Sequence, residues 1–289
     1  MSLDFYLFDV SQGQSAAGNL PNGSWCLFDA GGTPEFSPVQ WIMSQQNQRQ
    51  ASIFKATISH FHGDHMADHI RLLNVAPNHF TVVKYDDLYL HDVAASSSKE
   101  SFDSIMGFIH RYGMTYKQLS SADYGEASLC EMALPVSVAR AIGGQPKSCV
   151  NNASIVTRID CHGNSILVCG DMEKEGWDYA LSKSTDAAEW RQLVSNIDVL
   201  VAPHHGHKSG FSETLMTQAK PAVVLASVAS KDPSVDTRYS DPDRVRGLIL
   251  NETTHYLIST RRKDNGCVRV NISSPAYGTI RGNQTWYNV

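Results

Sequence analysis

Four side chains that can bind metal ions lie within six consecutive residues, in the segment HFHGDH. They are His60, His62, Asp64 and His65. Zinc, manganese and iron bind neutral imidazole and carboxylate groups in tight coordination shells. The small Gly63 is expected to let the backbone turn sharply, so that ligands before and after it face different sides. This division favours two adjacent metal ions over a solvated histidine-rich loop.

The cluster directly follows the apolar segment 52–59, which is predicted to be a strand. A His-x-His-x-Asp-His motif after a strand resembles the signature of the metallo-β-lactamase superfamily. The resemblance implies an α/β fold, a four-layer αββα sandwich of two mixed sheets with helices on the outer faces. It also implies a site for one or two metals at the edge between the sheets, with further ligands downstream.

An aspartate that bridges both metals is the first further ligand that the resemblance implies. Asp171 fits this role because it ends the apolar segment SILVCGD, directly after Gly170. An N-cap of the helix predicted in the following segment is the alternative role, and the two roles are compatible. We interpret Asp171 as a metal ligand and, together with Asp64, as a catalytic residue.

A late histidine is the second implied ligand. The segment DVLVAPHHGHKSG offers His204, His205 and His207 after another apolar strand. With FDVSQGQS, LFDAGG and NNASIV, it resembles the soluble metallo-β-lactamase-like domain of ComEC-type DNA-uptake proteins and their stand-alone relatives. His205 is the preferred ligand and His204 the alternative. The histidine that is not a ligand should contact substrate or donate a proton, a catalytic role that we assign to His204.

The third implied ligand, commonly a histidine of the first metal site, is missing from its usual place. Asn152 in CVNNAS and His162 in CHGN are the candidates. The segment 153–171 is predicted to be a hairpin, which places Asn152 beside Asp171 at one end. His162 in the turn would lie about 25 Å away, at about 3.3 Å per residue. We therefore predict Asn152, or its neighbour Asn151, as a ligand whose amide oxygen also admits manganese.

A second departure lies near the C-terminus, where ComEC-like domains often carry a His-Pro pair before a helix. This chain has Asp241 and Pro242 there. An N-cap role of Asp241 in a helix over 241–251 is the preferred interpretation, with Pro242 at the first helical position. The alternative is that Asp241 or His255 replaces the missing histidine.

Three residues are assigned supporting roles. Asp29 in LFDAGG is expected to accept the free N–H of a metal-bound imidazole and so fix its tautomer. Lys208 and Ser209, directly after the histidines, are expected to contact a phosphate group of the substrate.

These assignments predict hydrolysis by a metal-bound hydroxide. Two divalent ions, zinc or manganese, can lower the pKa of bound water to about 7. The ComEC resemblance implies a phosphodiester substrate, either a small molecule or a nucleic acid, although the net charge of −5 offers no general attraction for polyanions. An ester, lactam or thioester substrate is one alternative. A non-catalytic metal-binding module for interaction or sensing is another.

Composition bounds the class of protein. The 289 residues contain no apolar run of about 18, the length that a membrane-spanning helix needs. The first residues carry no signal-peptide pattern, so a cytoplasmic protein without a membrane partner is expected, with its six cysteines reduced. The sequence indicates no protein partner.

One metallo-β-lactamase-like domain is predicted over 1–289, with a less regular inserted region at about 76–150. Its strands are predicted in two groups, with helices between them, which favours two packed sheets. The strands expected at 4–10 and 24–32 should pair with each other. A helix is predicted over 98–112, and loops are expected to dominate 120–150.

Overall fold

The computed structural model describes residues 2–45, 52–112, 124–229, 235–250, 252–260, 267–273 and 284–288. Within them, two mixed sheets pack face to face, and α-helices cover their outer faces. This is the αββα sandwich that the sequence predicts, so the expected fold class is confirmed. None of the described helices is long and apolar enough to cross a membrane.

The first sheet contains seven described strands. They are β1 (Ser2–Leu7), β2 (Ala16–Asn19), β3 (Trp25–Phe28), β4 (Ile53–Ile58), β5 (His79–Val82), β14 (Val268–Ser273) and β15 (Gln284–Asn288). Their spatial order is β15-β14-β1-β2-β3-β4-β5. The last three strands of this order are parallel neighbours, and the other pairs are antiparallel.

The second sheet contains six described strands. They are β6 (Ala127–Met132), β7 (Val156–Cys161), β8 (Asn164–Val168), β9 (Val199–Val201), β10 (Val223–Ala226) and β13 (Leu257–Ser259). Their order is β13-β10-β9-β8-β7-β6. A separate hairpin pairs β11 (Leu248–Leu250) with β12 (Thr253–His255).

Nine α-helices lie in the described residues. They are α1 (Pro38–Ser44), α2 (His69–Val75), α3 (Asp87–Ser96), α4 (Lys99–Tyr112), α5 (Val136–Gly143), α6 (Pro146–Asn152), α7 (Lys174–Ser182), α8 (Ala187–Leu193) and α9 (Glu213–Ala219). Several begin at side-chain caps: Ser37 accepts from the N–H of Gln40, and Ser212 accepts from that of Leu215. Such caps satisfy N–H groups that the first helical turn leaves unpaired.

Alternating side chains along the strands build the layers. In β1, Leu3, Phe5 and Leu7 point into the core between the sheets, whereas Tyr6 joins the cluster under the outer helices. Strands β8 and β9 alternate in the same way between the inner core and the opposite outer cluster. This period of two is what a strand buried on both faces requires.

The helix over 98–112 and the hairpin within 153–171 are confirmed, as α4 and as β7 with β8. The strands predicted over 4–10 and 24–32 are present as β1 and β3, but they are not partners. Strand β2 lies between them and pairs with both. Its sequence, AAGN, has only small and polar side chains and therefore lacks the pattern by which strands are recognised.

The helix predicted over 241–251 is wrong. Asp241 instead forms a single turn, in which its side chain accepts from the N–H of Asp243 at 2.9 Å and its carbonyl from that of Val245 at 3.0 Å. Gly247 follows with a φ of 88°, which a helix cannot continue through. The chain then enters β11.

The region 76–150 is more regular than expected. Its described part contains β5 and β6, which lie at edges of the first and second sheets, and the helices α3 to α6. The loops expected over 120–150 are replaced, from residue 127, by β6, α5 and α6. The assignment of this region as an insertion stays a prediction.

All six cysteines are free thiols. Burial raises the pKa of Cys26 and of Cys161 to about 12. A thiol that stays neutral is a poor nucleophile and a poor metal ligand, so these two cysteines are core residues.

A buried ion pair links the two sheets. Lys55 of β4 is 1% exposed, and its Nζ lies 2.9 Å from Oε2 of Glu131 on β6. Three hydroxyls belong to the network: Lys55 Nζ donates to Thr81 Oγ1 at 2.6 Å, and Thr57 Oγ1 and Thr157 Oγ1 donate to Glu131 Oε1 at 2.6 and 3.4 Å. Since both charges are removed from water, each depends on the other.

Removing one member of this pair should destabilise the protein more than replacing both. Glu131→Ala leaves the Lys55 ammonium buried without its counter-charge, and the free energy of unfolding should fall by about 3–5 kcal/mol. Lys55→Met combined with Glu131→Leu should lower it much less, because an apolar pair fills the same space. Denaturant unfolding followed by circular dichroism measures both variants. Equal losses would contradict a mutual dependence of the two charges.

Candidate metal centre

Three strands deliver the candidate ligands to one edge of the two sheets. Strand β4 ends directly before the HFHGDH segment. Strands β8 and β9 are parallel neighbours, and they end shortly before Asp171 and before the pair His204 and His205. The carboxyl ends of parallel strands share an edge, which is where ligand sites form in open sheets. The two loops also meet, since the N–H of His204 donates to the carbonyl of Gly170 at 3.0 Å.

The histidine pair has a strained backbone. His204, His205 and Gly206 are three consecutive left-handed residues, with φ angles of 51°, 57° and 82°. Such a conformation costs a non-glycine residue about 1–3 kcal/mol and persists only where the surrounding structure imposes it. Here it brings both imidazoles to Asp171. His204 Nε2 lies 3.8 Å from Asp171 Oδ2, and His205 Nε2 lies 3.5 Å from Oδ1.

Gly170 lets the loop before Asp171 pass close to the first sheet. Its φ is 56°, and a Cβ at this position would lie 2.9 Å from the Cβ atoms of Ser59 and Ser154. Both serine hydroxyls contact His60 Nδ1, at 3.0 and 3.3 Å. Ser154 Oγ also accepts from the N–H of Asp171 at 3.0 Å. The missing side chain therefore allows the sheets to approach each other at the site.

One cluster of ligand atoms combines two histidines of the HFHGDH segment with Asp171 and His204. His60 Nε2 lies 3.1 Å from His62 Nδ1 and 3.8 Å from Asp171 Oδ2. His204 Nε2 approaches the same carboxylate oxygen at 3.8 Å. Asp171 thus joins ligands that come from both sheets.

A second cluster shares Asp171 through its other oxygen. His65 Nε2 lies 3.1 Å from Asp171 Oδ1. His205 Nε2 lies 3.5 Å from this oxygen and 3.5 Å from Asp64 Oδ2. Asp171 therefore directs Oδ2 at the first cluster and Oδ1 at the second, which is the placement that a bridging aspartate requires.

Hydrogen bonds assign the tautomers of the first two histidines. Ser59 Oγ donates to Asp29 Oδ2 at 2.9 Å, so it accepts from Nδ1–H of His60 at 3.0 Å. Ser96 Oγ donates to a carbonyl of α3 at 2.7 Å, so it accepts from Nε2–H of His62 at 3.2 Å. Each ring is left with one nitrogen lone pair, on Nε2 of His60 and on Nδ1 of His62.

These two lone pairs face each other at 3.1 Å. Burial lowers the pKa of His60 well below its usual value and that of His62 to about 4, so neither ring supplies a second proton at neutral pH. Two facing lone pairs repel each other unless a cation lies near both. The arrangement fits a metal ion bound by both rings.

Asp29 holds the third histidine of the segment. His65 Nδ1 donates to Asp29 Oδ2 at 2.8 Å, and the N–H of Ser59 donates to the other oxygen at 2.7 Å. Burial opposes a positive charge on His65, but the carboxylates of Asp171 and Asp29 outweigh it and raise the pKa of His65. The contact to Asp29 leaves Nε2 of His65 as the atom that faces the second cluster.

Several buried atoms of the site form no hydrogen bond of normal geometry within the described residues, although two of them lie 3.1 Å apart. They are His65 Nε2, Asp171 Oδ1 and both ring nitrogens of His205. Buried polar atoms are almost always satisfied, so this group needs an explanation. Imidazole nitrogens and carboxylate oxygens that converge in this way fit a divalent metal.

Ser209 contacts His204 on the ring nitrogen that faces away from Asp171. Its Oγ lies 2.7 Å from Nδ1 of His204 and 2.9 Å from Nδ1 of His207. The Ser209 N–H also donates to His207 Nδ1, at 3.2 Å, which places the His207 proton on Nε2. The Ser209 hydroxyl is therefore engaged by two rings, while Lys208 is exposed. The predicted phosphate contact of these two residues stays a prediction.

Asn152 does not begin the hairpin as the sequence suggested. It ends α6, and the hairpin begins at Val156. Asn152 Oδ1 accepts from the N–H of Glu173 at 3.0 Å, and Asn151 Nδ2 donates to Glu173 Oε1 at 2.9 Å. Both side chains thus fasten α6 to the start of α7. A metal-ligand role of Asn152 stays a prediction.

The turn expected at Gly63 is present. Gly63 begins a short 3₁₀ turn, Gly63–His65, with a negative φ. A Cβ at this position would lie 2.6 Å from Ser101 Oγ on α4. Gly63 therefore leaves room for the Ser101 hydroxyl of α4.

Two cavities meet at the ligand clusters. The first, of about 290 Å³, is lined by His62, Gly63, Asp64, Ser96, Ser97, Ser98, Ser101, Lys147, Asp171 and His204. The second, of about 400 Å³, is lined by Gln12, Asp64, Lys147, His204, His205, His207, Ser227, Val228 and Ala229. Asp64, Lys147 and His204 belong to both walls.

The sequence analysis missed several residues of the site. The hydroxyls of Ser59, Ser96 and Ser154 contact candidate ligand histidines, and Lys147 lines both cavities. Ser96 lies in the serine-rich segment SSSKES, which carries no metal-ligand pattern. Lys147 had no signal of its own, since only the packing of α6 brings it to the site.

Comparisons with known proteins give a consistent result. Residues 17–226, more than half of the chain, match the family model described as Metallo-beta-lactamase superfamily. The chain is 30% identical over 95 residues to Recombination protein 2 of Haemophilus influenzae, a match that covers 33% of the chain and 11% of that protein. The chain thus spans only a small part of this relative.

Two solved structures are also similar to the chain. CmlA, a diiron beta-hydroxylase from Streptomyces venezuelae, is 14% identical with a TM-score of 0.44, over 80% of this chain and 46% of that chain. The short form of human tRNase Z is 13% identical with a TM-score of 0.40, over 79% of this chain and 93% of that chain.

Asp29→Asn should weaken metal binding while leaving the fold intact. The amide loses the charge that accepts from His65 Nδ1–H, and such outer-shell changes typically weaken metal affinity by about 10–100-fold. Zinc affinity, measured by competition with a chromogenic chelator, tests this. The control is Asp9→Asn, because Asp9 accepts from the backbone N–H of Ser11 at 3.1 Å rather than from a histidine. Equal affinities of the two variants would contradict the role of Asp29.

Proposed function

We propose that the chain, which belongs to the metallo-β-lactamase superfamily and is a metal-dependent hydrolase, cleaves phosphodiesters. The observation that carries the proposal is a pair of ligand clusters that share Asp171 and lie where two cavities meet. A substrate with one reacting centre and a group on each side of it matches this shape. A phosphodiester is such a substrate.

We assign four ligands to each of two metals. The first metal would be held by His60, His62, Asp171 and His204, and the second by Asp64, His65, Asp171 and His205. Ligand atoms around a tetrahedral zinc ion lie about 3.3 Å apart. Six pairs of neighbouring ligand atoms, three in each cluster, lie 3.1 to 3.8 Å apart, which is close to this value.

In this assignment both histidines of the HHG motif are ligands. His204 takes the position for which the sequence offered Asn152, and His205 keeps the role that the sequence predicted. His204 is then no longer free to donate a proton to the leaving group. His207 is available instead, because it lines the second cavity and carries its proton on Nε2.

When bound, two divalent ions supply a nucleophile at neutral pH and polarise a phosphoryl oxygen. The chain's residues provide the rest. Asp171 fixes the position of the two ligand sets relative to each other, because each of its carboxylate oxygens faces one set. The contacts of Asp29 and Ser59 hold the imidazoles in the tautomers that binding requires.

The walls of the cavities distinguish between substrates. Among the described residues, the first cavity is lined by four serines, a lysine and other polar residues, together with Gly63, which has no side chain. Such a wall suits a charged, oxygen-rich group better than the apolar part of a lactam or thioester. Esters, lactams and thioesters are therefore the second choice, followed by a non-catalytic metal-binding module.

Nucleic acid is the phosphodiester to test first among natural substrates. The resemblance to ComEC-type proteins and the name of the relative Recombination protein 2 both point to DNA. Against this stands the net charge of −5, so binding would rely on the site itself. Zinc and manganese are both suitable metals, and a cytoplasmic location completes the proposal.

Metal content should separate His204 from Asn152 as the fourth ligand of the first site. His204→Ala should retain about one metal per chain after dialysis, where the wild type retains two, because a site with three ligands binds more weakly. Asn152→Ala should retain two. Elemental analysis of both proteins, refilled with zinc and dialysed together, gives the answer. The reverse result would return Asn152 to the ligand set.

Activity tests the proposed reaction. Wild-type protein refilled with zinc or manganese should hydrolyse bis(4-nitrophenyl) phosphate, and Asp171→Ala should lose at least about 100-fold in turnover. His162→Ala, in the turn of the β7–β8 hairpin, should behave as the wild type. Inactivity of the wild type with both metals would reject the phosphodiester and direct the search to 4-nitrophenyl acetate and other acyl substrates.

A further inference from the structure

We propose that Lys147 binds the phosphoryl group of the substrate at the junction of the two cavities. This inference rests on the proposed function, since it names the residue that recognises the anionic centre of a phosphodiester. Lys147 is the second residue of α6, after Pro146, and it is exposed.

The position of Lys147 relates it to both ligand clusters. It belongs to the walls of both cavities, as do Asp64 and His204, one residue from each cluster. The ammonium group of Lys147 can therefore reach a substrate that lies between the two clusters.

The charge of Lys147 is not used by the protein itself. Within the described residues, Lys147 forms no hydrogen bond and no salt bridge. Other lysines differ: Lys55 pairs with Glu131, and Lys174 pairs with Asp178. A free cation beside two carboxylate-containing clusters can bind an anion.

The C-terminal part of α6 is fixed by burial and by hydrogen bonds. Cys149, Val150 and both asparagines of this helix are buried. The asparagines bond to Glu173, whose Oε1 lies 3.6 Å from His204 Nδ1. The backbone of Lys147 is thus fixed relative to the candidate metal centre. Its long, flexible side chain can still adjust to the substrate.

The first cavity adds neutral donors next to this cation. Ser97 Oγ is buried there without a hydrogen-bond partner. A phosphoryl oxygen accepts from ammonium and hydroxyl groups alike, and lysine is a common phosphate ligand that acts as a point charge. A neutral acyl substrate would leave this charge unused. Lys147 would therefore favour phosphodiesters over carboxylic esters.

The affinity for inorganic phosphate tests the inference without turnover. Calorimetry is done on the metal-loaded wild type, Lys147→Ala, Lys147→Arg and the control Lys183→Ala, which changes an exposed lysine at the end of α7. Lys147→Ala should bind phosphate about 10–100-fold more weakly, as expected for one charge-assisted hydrogen bond. Lys147→Arg should largely retain the affinity, and Lys183→Ala should equal the wild type.

Kinetics give an independent measurement. Lys147→Ala should raise KM for bis(4-nitrophenyl) phosphate, while any hydrolysis of the neutral 4-nitrophenyl acetate should be unchanged. Unaltered phosphate affinity and unaltered KM in Lys147→Ala would overturn the inference. A loss of bound metal from Lys147→Ala that accounts for the weaker phosphate binding would overturn it as well.

The two proposals can fail separately. Weaker phosphate binding by Lys147→Ala, combined with an inactive wild type, would support the anion site and reject the phosphodiesterase. An active wild type with equal phosphate affinities would support the phosphodiesterase and reject the role of Lys147.

Discussion

The buried carboxylate of Asp29 is the interaction on which the metal centre depends. One oxygen accepts from His65 Nδ1 directly, and the same oxygen accepts from Ser59 Oγ, which in turn accepts from His60 Nδ1. One carboxylate thus determines the tautomer of a histidine in each cluster. Asp29 directly follows β3 and has a left-handed φ of 59°. The extended backbone of the strand therefore ends at this residue, and its side chain is directed into the site. The arrangement would be lost if β3 continued by one extended residue.

The sandwich explains how so many polar groups can be buried together. The inner faces of both sheets are mainly apolar, with a polar network around Lys55 and Glu131 between them, and the candidate ligands lie beyond strand ends. At the ends, the carboxylates of Asp29 and Asp171 are matched by imidazoles and N–H groups, which limits the free energy lost on removing them from water. Gly170 then permits the loop of one sheet to contact Ser59 of the other.

Some residues and elements of the site could be predicted from the local sequence, and others could not. The four candidate ligands of HFHGDH could be proposed from the sequence because they lie within six residues after an apolar strand, and Asp171 because it follows another apolar strand. Asn152 was misplaced because a helix, α6, occupies the segment where a strand was expected to begin. Strand β2 lacks an apolar pattern, and the turn at Asp241 was read as a helix because both begin with the same capping residues. Lys147 reaches the site only through tertiary packing.

The adjacent histidines have a consequence for how the two metal sites are related. In the proposed ligand set, His204 serves one metal and His205 the other, although their Cα atoms are one peptide bond apart. Two neighbouring residues can aim in different directions from one loop only if the backbone is unusual, and here both are left-handed. The strain of about 1–3 kcal/mol per residue must be offset by contacts such as that of Ser209 with His204, and by metal binding. In this ligand set, binding at either site would stabilise the same turn and would so couple the occupancy of the two sites through the backbone.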